Sequence, residues 1–161
     1  MFRSKDVVST LFGTGRGSEA VFVENIQWAA DQCPDILLNL EPLNARDVPD
    51  YLHSNSGETV RLIEKIDRPN VRLQYDFYHM QIMEGDLAAN VMARMEHISH
   101  IQFSSVPGRH EPQFGEVNIP YLIELLDEVG YEGWIGCEYK AKTDTKSGLS
   151  WGLPYGLGKE M

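Results

Sequence analysis

Four short apolar runs in this 161-residue chain each close on a polar residue able to hold a metal or carry a proton. They are Ile36-Leu-Leu-Asn-Leu-Glu41, Val71-Arg-Leu-Gln-Tyr-Asp76, His100-Ile-Gln102 and Trp134-Ile-Gly-Cys-Glu138. The oxygen donors of Glu41, Asp76, Gln102 and Glu138 suit a hard divalent cation such as Mg²⁺ or Mn²⁺, not a thiolate-seeking one. Two glutamates at one centre can also pass a proton in opposite directions, the requirement of a keto–aldehyde isomerisation. Each residue has an ordinary reading as well, as a loop-edge carboxylate or, for Gln102, a solvated strand end.

Two further residues sit where they could join such a centre. His79 lies three residues after Asp76, in Asp76-Phe-Tyr-His79, and is read either as a site residue or as a structural histidine. Arg109 lies in the loop Val106-Pro-Gly-Arg-His-Glu-Pro112. Its planar guanidinium could clamp a substrate carboxylate through paired hydrogen bonds; the alternative is an exposed loop arginine. Cys137, next to Glu138, must face the other way and reads as core packing. The run Gly13-Thr-Gly-Arg-Gly17 lacks the Lys-Ser/Thr ending of a phosphate-binding loop. His53, His97, His100 and His110 show no metal-ligand spacing.

The elements that must position these residues follow from pattern and punctuation. The four runs recur at roughly the 30-residue length of a strand-plus-helix unit. Strands are predicted at 36–41, 71–76, 100–104 and 134–139, with a weak one at 6–12. Helices are predicted at 18–33, 58–66, 87–98 and 118–129. In the first helix Val21, Ile26, Ala29, Ala30 and Cys33 fall near one face. Asn55 and Glu58 have capping-box spacing, and Gly130 stops the last helix. Gly152, Pro154, Gly156 and Gly158 leave the tail without a regular helix.

This alternation argues a parallel α/β sheet. Along each strand one face is polar (Asn39 and Glu41; Arg72, Gln74 and Asp76; His100, Gln102 and Ser104) and the other apolar. Doubly wound open sheets bury both faces and read as continuous apolar runs. The polar face fits a barrel better, and in a barrel the C-terminal strand ends converge on one mouth.

Composition narrows the class. A net charge of -10, with no clustering of Lys and Arg, argues against a nucleic-acid partner. Two cysteines suggest no disulfide scaffold and a reducing compartment. No apolar run approaches the roughly 18 residues of a membrane span. A cytoplasmic protein with no leader is expected, as a single domain over 1–161 with atypical ends at 1–17 and 152–161.

Taken together, the segments resemble the hydroxypyruvate isomerases of the xylose-isomerase-like TIM-barrel superfamily. The matching stretches are Asn39-Leu-Glu41-Pro-Leu-Asn44, Asp76-Phe-Tyr-His79-Met-Gln-Ile-Met-Glu-Gly85, His100-Ile-Gln102, Val106-Pro-Gly-Arg109-His-Glu-Pro112 with a following Gly115-Glu-Val-Asn118, and Gly136-Cys-Glu138-Tyr139. The resemblance implies a (β/α)8 barrel, of which about four to five βα units are present as the C-terminal half. It implies Glu41 and Glu138 as the proton donor/acceptor pair, a divalent metal on Glu41, Asp76, Gln102 and Glu138, and His79 and Arg109 near the substrate. The reaction implied is reversible isomerisation of a small 2-oxo acid, hydroxypyruvate, to 2-hydroxy-3-oxopropanoate. A ketose epimerase of the same superfamily is the alternative activity. A half-barrel leaves two open sheet edges, so the chain is expected to be a truncated form, a partial sequence, an inactive fragment or a homo-oligomer.

Overall fold

A computed structural model describes residues 18–156. The weak strand expected at 6–12 and the glycine run 13–17 lie outside the described residues, as do 157–161. In chain order the elements are α1 (Ser18–Gln32), β1 (Leu38–Leu40), α2 (Ser56–Ile66), β2 (Val71–Asp76), α3 (Phe77–Met83), α4 (Leu87–Ala93), β3 (Ile98–Phe103), α5 (Ile119–Glu128), β4 (Trp134–Cys137) and α6 (Thr145–Gly148). Short 3₁₀ turns cover Met95–His97 and Ser150–Tyr155. The four strands form one sheet in the order β1-β2-β3-β4, and every pairing is parallel. This is the expected α/β architecture, an incomplete barrel of βα units. No helix among the described residues is long and apolar enough to cross a membrane.

The helices cover the apolar strand face. Leu38, Leu40, Val71, Leu73, Tyr75, Ile101 and Phe103 pack with Leu62, Ile66, Ile119, Leu122 and Leu126. Each such side chain contributes about 1.5–3 kcal/mol by leaving water. α2 shows how local signals set an element. The Asn55 side chain accepts from the Glu58 N–H at 2.9 Å, and the Glu58 carboxylate accepts from the Ser54 N–H at 2.9 Å. The helical period Thr59, Leu62, Ile63 and Ile66 then turns inward, and Asp67 ends the helix in the left-handed region at φ 50.

Several expectations need correction. The buried stripe of α1 is Phe22, Val23, Ile26 and Ala30, while Val21 and Cys33 are exposed. The helix expected at 87–98 ends at Ala93, and after the Met95–His97 turn β3 already begins at Ile98. α3 was not expected at all. Cys137 is exposed rather than packed in the core, because β4 is the sheet edge among the described residues and Trp134 beside it is 73% exposed.

One irregularity decides which side chains meet. Leu73 pairs with Ile98, but the next residue, Gln74, pairs with His100, leaving Ser99 as an extra residue. A one-residue slip exchanges the faces of a strand. This bulge therefore puts His100 and Gln102 on the polar face beside Gln74 and Asp76, where an unbroken register would have put Ile101 opposite Asp76. Ser99 itself turns inward and hydrogen-bonds Asn39.

Candidate active site

The polar strand ends converge around Asp76. This residue ends β2 and caps α3: its Oδ1 accepts from the Tyr78 N–H at 2.9 Å. Its Oδ2 is buried without a hydrogen-bond partner, 3.7 Å from His79 Nε2 and 3.9 Å from Arg109 Nη2. Glu41 follows β1 directly, is 8% exposed, and its Oε1 is likewise buried without a partner. Donor atoms of Glu41, Asp76 and His79 lie within 4.8 Å of one another.

Gln102 stands opposite Asp76 in the β2–β3 register, and its Oε1 accepts from the Gln74 amide. A second lone pair on that oxygen remains available. Gly136 is opposite Gln102 on β4. A Cβ there would lie 3.1 Å from His100 Nε2 and 3.3 Å from Gln102 Cγ, so glycine leaves these side chains their room.

Glu138 follows β4, and its N–H donates to the Phe103 carbonyl at 3.0 Å. Its half-exposed carboxylate pairs with Arg109 Nη2 at 2.6 Å. Arg109 holds a left-handed backbone at φ 54. Its N–H donates to the Ser105 carbonyl and its own carbonyl accepts from the Lys140 N–H, both at 2.8 Å. The guanidinium lies 4.7 Å over the Tyr78 ring, a cation–π contact that steers it inward. Gly115 lets this loop close: a Cβ there would sit 2.5 Å from the Val106 carbonyl oxygen.

The structure thus brings Glu41, Asp76 and His79 into one cluster, with Arg109 and Glu138 as a pair on its open side and Gln102 beside it. Three carboxylates face one guanidinium, leaving two excess negative charges when all are ionised. Burial, then repulsion from Asp76 and Glu138, pushes the Glu41 carboxyl up to about 8. Burial, partly offset by the Tyr78 N–H, pushes Asp76 up to about 7. Burial, then the Arg109 charge, holds His79 down at about 4, so its ring is neutral at physiological pH.

This donor set fits a divalent cation. Two buried carboxylate oxygens lack any partner, the donors are hard oxygens, and a charge of +2 offsets the excess.

Sequence reasoning missed the layer behind the cluster. Asn44 is fully buried, and its N–H and side-chain Nδ2 lie 3.0 and 2.7 Å from His79 Nδ1. Asp47 accepts from the Tyr78 hydroxyl at 2.7 Å, and Arg46 donates to that hydroxyl at 3.2 Å. Asn44 opens a turn in which the Asp47 N–H donates to its Oδ1, and an Asn in a loop is a turn signal that could have marked it; nothing in sequence ties these residues to His79.

Comparison with known proteins identifies the family. The chain is 41% identical over 142 residues to the 2-oxo-tetronate isomerase of Cupriavidus necator, covering 87% of this chain and 54% of that protein. It is 41% identical over 138 residues to the hydroxypyruvate isomerase of Escherichia coli, covering 84% of this chain and 54% of that protein. A crystal structure described as an AP endonuclease, family 2, from Brucella melitensis superposes with a TM-score of 0.87 at 44% identity, covering 92% of this chain and 60% of that one. The chain spans about half the length of the curated relatives it matches. Residues 7–155 match the xylose isomerase-like TIM barrel family, and the chain belongs to it.

Proposed function

We propose that this chain carries the C-terminal half of the catalytic centre of an isomerase acting on small 2-oxo acids, with reversible interconversion of hydroxypyruvate and 2-hydroxy-3-oxopropanoate as its reaction. The observation that carries this reading is the pair of unpartnered buried carboxylate oxygens on Glu41 and Asp76 beside an inward-facing Arg109. Arg109 clamps the substrate carboxylate, exchanging its contact with Glu138 for the substrate's. His79 contacts a substrate oxygen. Glu41 and Glu138 are the proton-transfer pair. One removes a proton from the hydroxymethyl carbon, giving an enediolate; the hydroxyl proton passes to the neighbouring oxygen, and the other glutamate protonates the former ketone carbon. Their order follows the direction of reaction. Glu41, Asp76, Gln102 and Glu138 would hold Mg²⁺ or Mn²⁺, which supplies Lewis-acid polarisation and offsets negative charge as the C–H bond breaks.

The name of the Cupriavidus relative supports a second substrate, 2-oxo-tetronate. Nuclease action is disfavoured by the net charge of -10 and by a cluster with one histidine against two carboxylates. The test is turnover of the chain with Mg²⁺ or Mn²⁺ on hydroxypyruvate, 2-oxo-tetronate and a panel of ketoses. Glu41→Gln and Glu138→Gln should each abolish activity. No turnover of any 2-oxo acid, or near-normal turnover in either variant, refutes the reading.

A further inference from the structure

Asn44 and His79 meet directly behind the carboxylate cluster, and two backbone N–H groups fix the direction of every hydrogen bond between them. A backbone N–H can only donate. The Asp47 N–H donates to Asn44 Oδ1 at 2.8 Å, which orients the amide. Its Nδ2 then donates to Asp47 Oδ2 at 3.0 Å and points at His79 Nδ1 from 2.7 Å. The Asn44 N–H donates to the same Nδ1 at 3.0 Å. A ring nitrogen that faces two donors presents its lone pair and carries no proton. The ring proton is therefore on Nε2, which lies 3.7 Å from Asp76 Oδ2. Asn44, His79 and Asp76 are at most 2% exposed, so water does not replace these contacts.

We propose that Asn44, oriented by Asp47, is a positioning residue that fixes His79 as the Nε2–H tautomer and so makes it a hydrogen-bond donor at the site rather than a cation ligand or proton acceptor. By distance alone the His79 ring is near enough to share a cation with Glu41 and Asp76; with Nδ1 turned to Asn44 and Nε2 protonated, neither nitrogen is left to do so. The cation then meets oxygen donors alone, which favours Mg²⁺ or Mn²⁺ over a nitrogen-seeking ion. The part of the proposal in which Nε2–H donates to a substrate oxygen rests on the isomerase reading above.

Long-range ¹H–¹⁵N correlation spectra of the labelled, metal-free chain test this, with the His79 signals assigned by their loss in His79→Gln. The expected pattern is a pyridine-type Nδ1 and a pyrrole-type Nε2, unchanged by added Mg²⁺. Asn44→Asp presents an acceptor where the amide donated. It should shift the tautomer balance towards Nδ1–H, against the backbone N–H that still faces the ring, and lower kcat/KM by about 10- to 100-fold, the range for losing one hydrogen bond to a charged or reacting group. A pyrrole-type Nδ1 in the unaltered chain, loss of the Nε2 proton on adding Mg²⁺, or an unchanged His79 pattern in folded Asn44→Asp overturns the proposal. If Asn44→Asp does not fold, the unaltered chain's spectrum decides. The spectrum is read without substrate, so an inactive chain with the Nε2–H pattern refutes the functional reading and leaves the tautomer assignment standing.

Discussion

Replacing Glu41 by glutamine should make the folded chain more stable at alkaline pH while removing a carboxyl that the proposed reaction needs. Burial, then the Asp76 and Glu138 charges, raises this carboxyl from 4.5 to about 8. Between those values the folded chain keeps a proton that the unfolded chain has released, so stability falls as pH rises. Below this window both states are protonated and the residue contributes no pH dependence; above it, folding carries the whole cost of a buried charge. At about 1.4 kcal/mol per pH unit the upper limit is about 5 kcal/mol. Two effects change the yield of the substitution. Removing the Glu41 charge also relieves Asp76, itself raised to about 7 chiefly by burial. Against this, the nearby Gln74 amide favours the ionised carboxylate and does less for a neutral amide.

The net expectation is a gain of about 2–5 kcal/mol for Glu41→Gln near pH 9, shrinking towards zero near pH 5. In melting temperature this is roughly 5–15 °C for a chain of this size. Urea unfolding followed by tryptophan fluorescence, without divalent metal, from about pH 5 to about pH 9, reads the difference directly. A parent chain whose stability is flat across that range, or a variant no more stable than its parent at the alkaline end, refutes the argument that Glu41 is held in the fold against its own solvation.

Mg²⁺ should offset part of that pH dependence. At 100 times its Kd it stabilises the chain by about 2.7 kcal/mol once Glu41 and Asp76 are ionised, and the effect should vanish as they regain protons in acid; equal thermal shifts at both pH extremes would contradict this. Arg109→Lys keeps the charge but loses the planar fork, so KM for a 2-oxo acid should rise about 10-fold or more; an unchanged KM in steady-state kinetics removes Arg109 as the carboxylate clamp. Gly115→Ala drives a Cβ to 2.5 Å from the Val106 carbonyl oxygen and 2.7 Å from Ser105 Cβ. The loop bearing Arg109 should then lose about 1–3 kcal/mol by strain, and a neutral result in denaturant unfolding would show the loop is not held by that contact.

The strand-and-helix alternation and the polar strand ends were legible because their periods differ and because Glu41, Asp76, Gln102 and Glu138 lie at or next to a strand terminus. What was hidden depends on geometry that no period encodes. α3 has seven residues, too few to establish a helical repeat, and its cap Asp76 is also the last residue of β2. The bulge at Ser99 leaves the alternation of types along β3 intact and shows only in the pairing. The contact of Asn44 with His79 joins residues 35 apart through a backbone donor. Cys137 was misread because alternation tells which way a side chain points, not whether anything covers it.

The energetic cost of the cluster is itself an argument about what it is for. Asp76 is fully buried with one oxygen unsatisfied, and Glu41 nearly so. Replacing buried charged groups by well-packed apolar ones is often neutral or stabilising, so a fold selected for stability alone would not keep carboxylates here. Among the described residues the cation nearest Asp76 is Arg109, at 3.9 Å, its short contact is to Glu138, and no ion pair involves Glu41. Arg109 thus holds the open side of the site, pairing closely with Glu138, only loosely with Asp76, and not with Glu41. The bulge that turns Gln102 towards the same point adds an oxygen donor but no positive charge. On the proposed reading, such a centre would be completed by ligands that bring charge with them, a divalent cation for Glu41 and Asp76 and the carboxylate of an anionic oxo acid for Arg109.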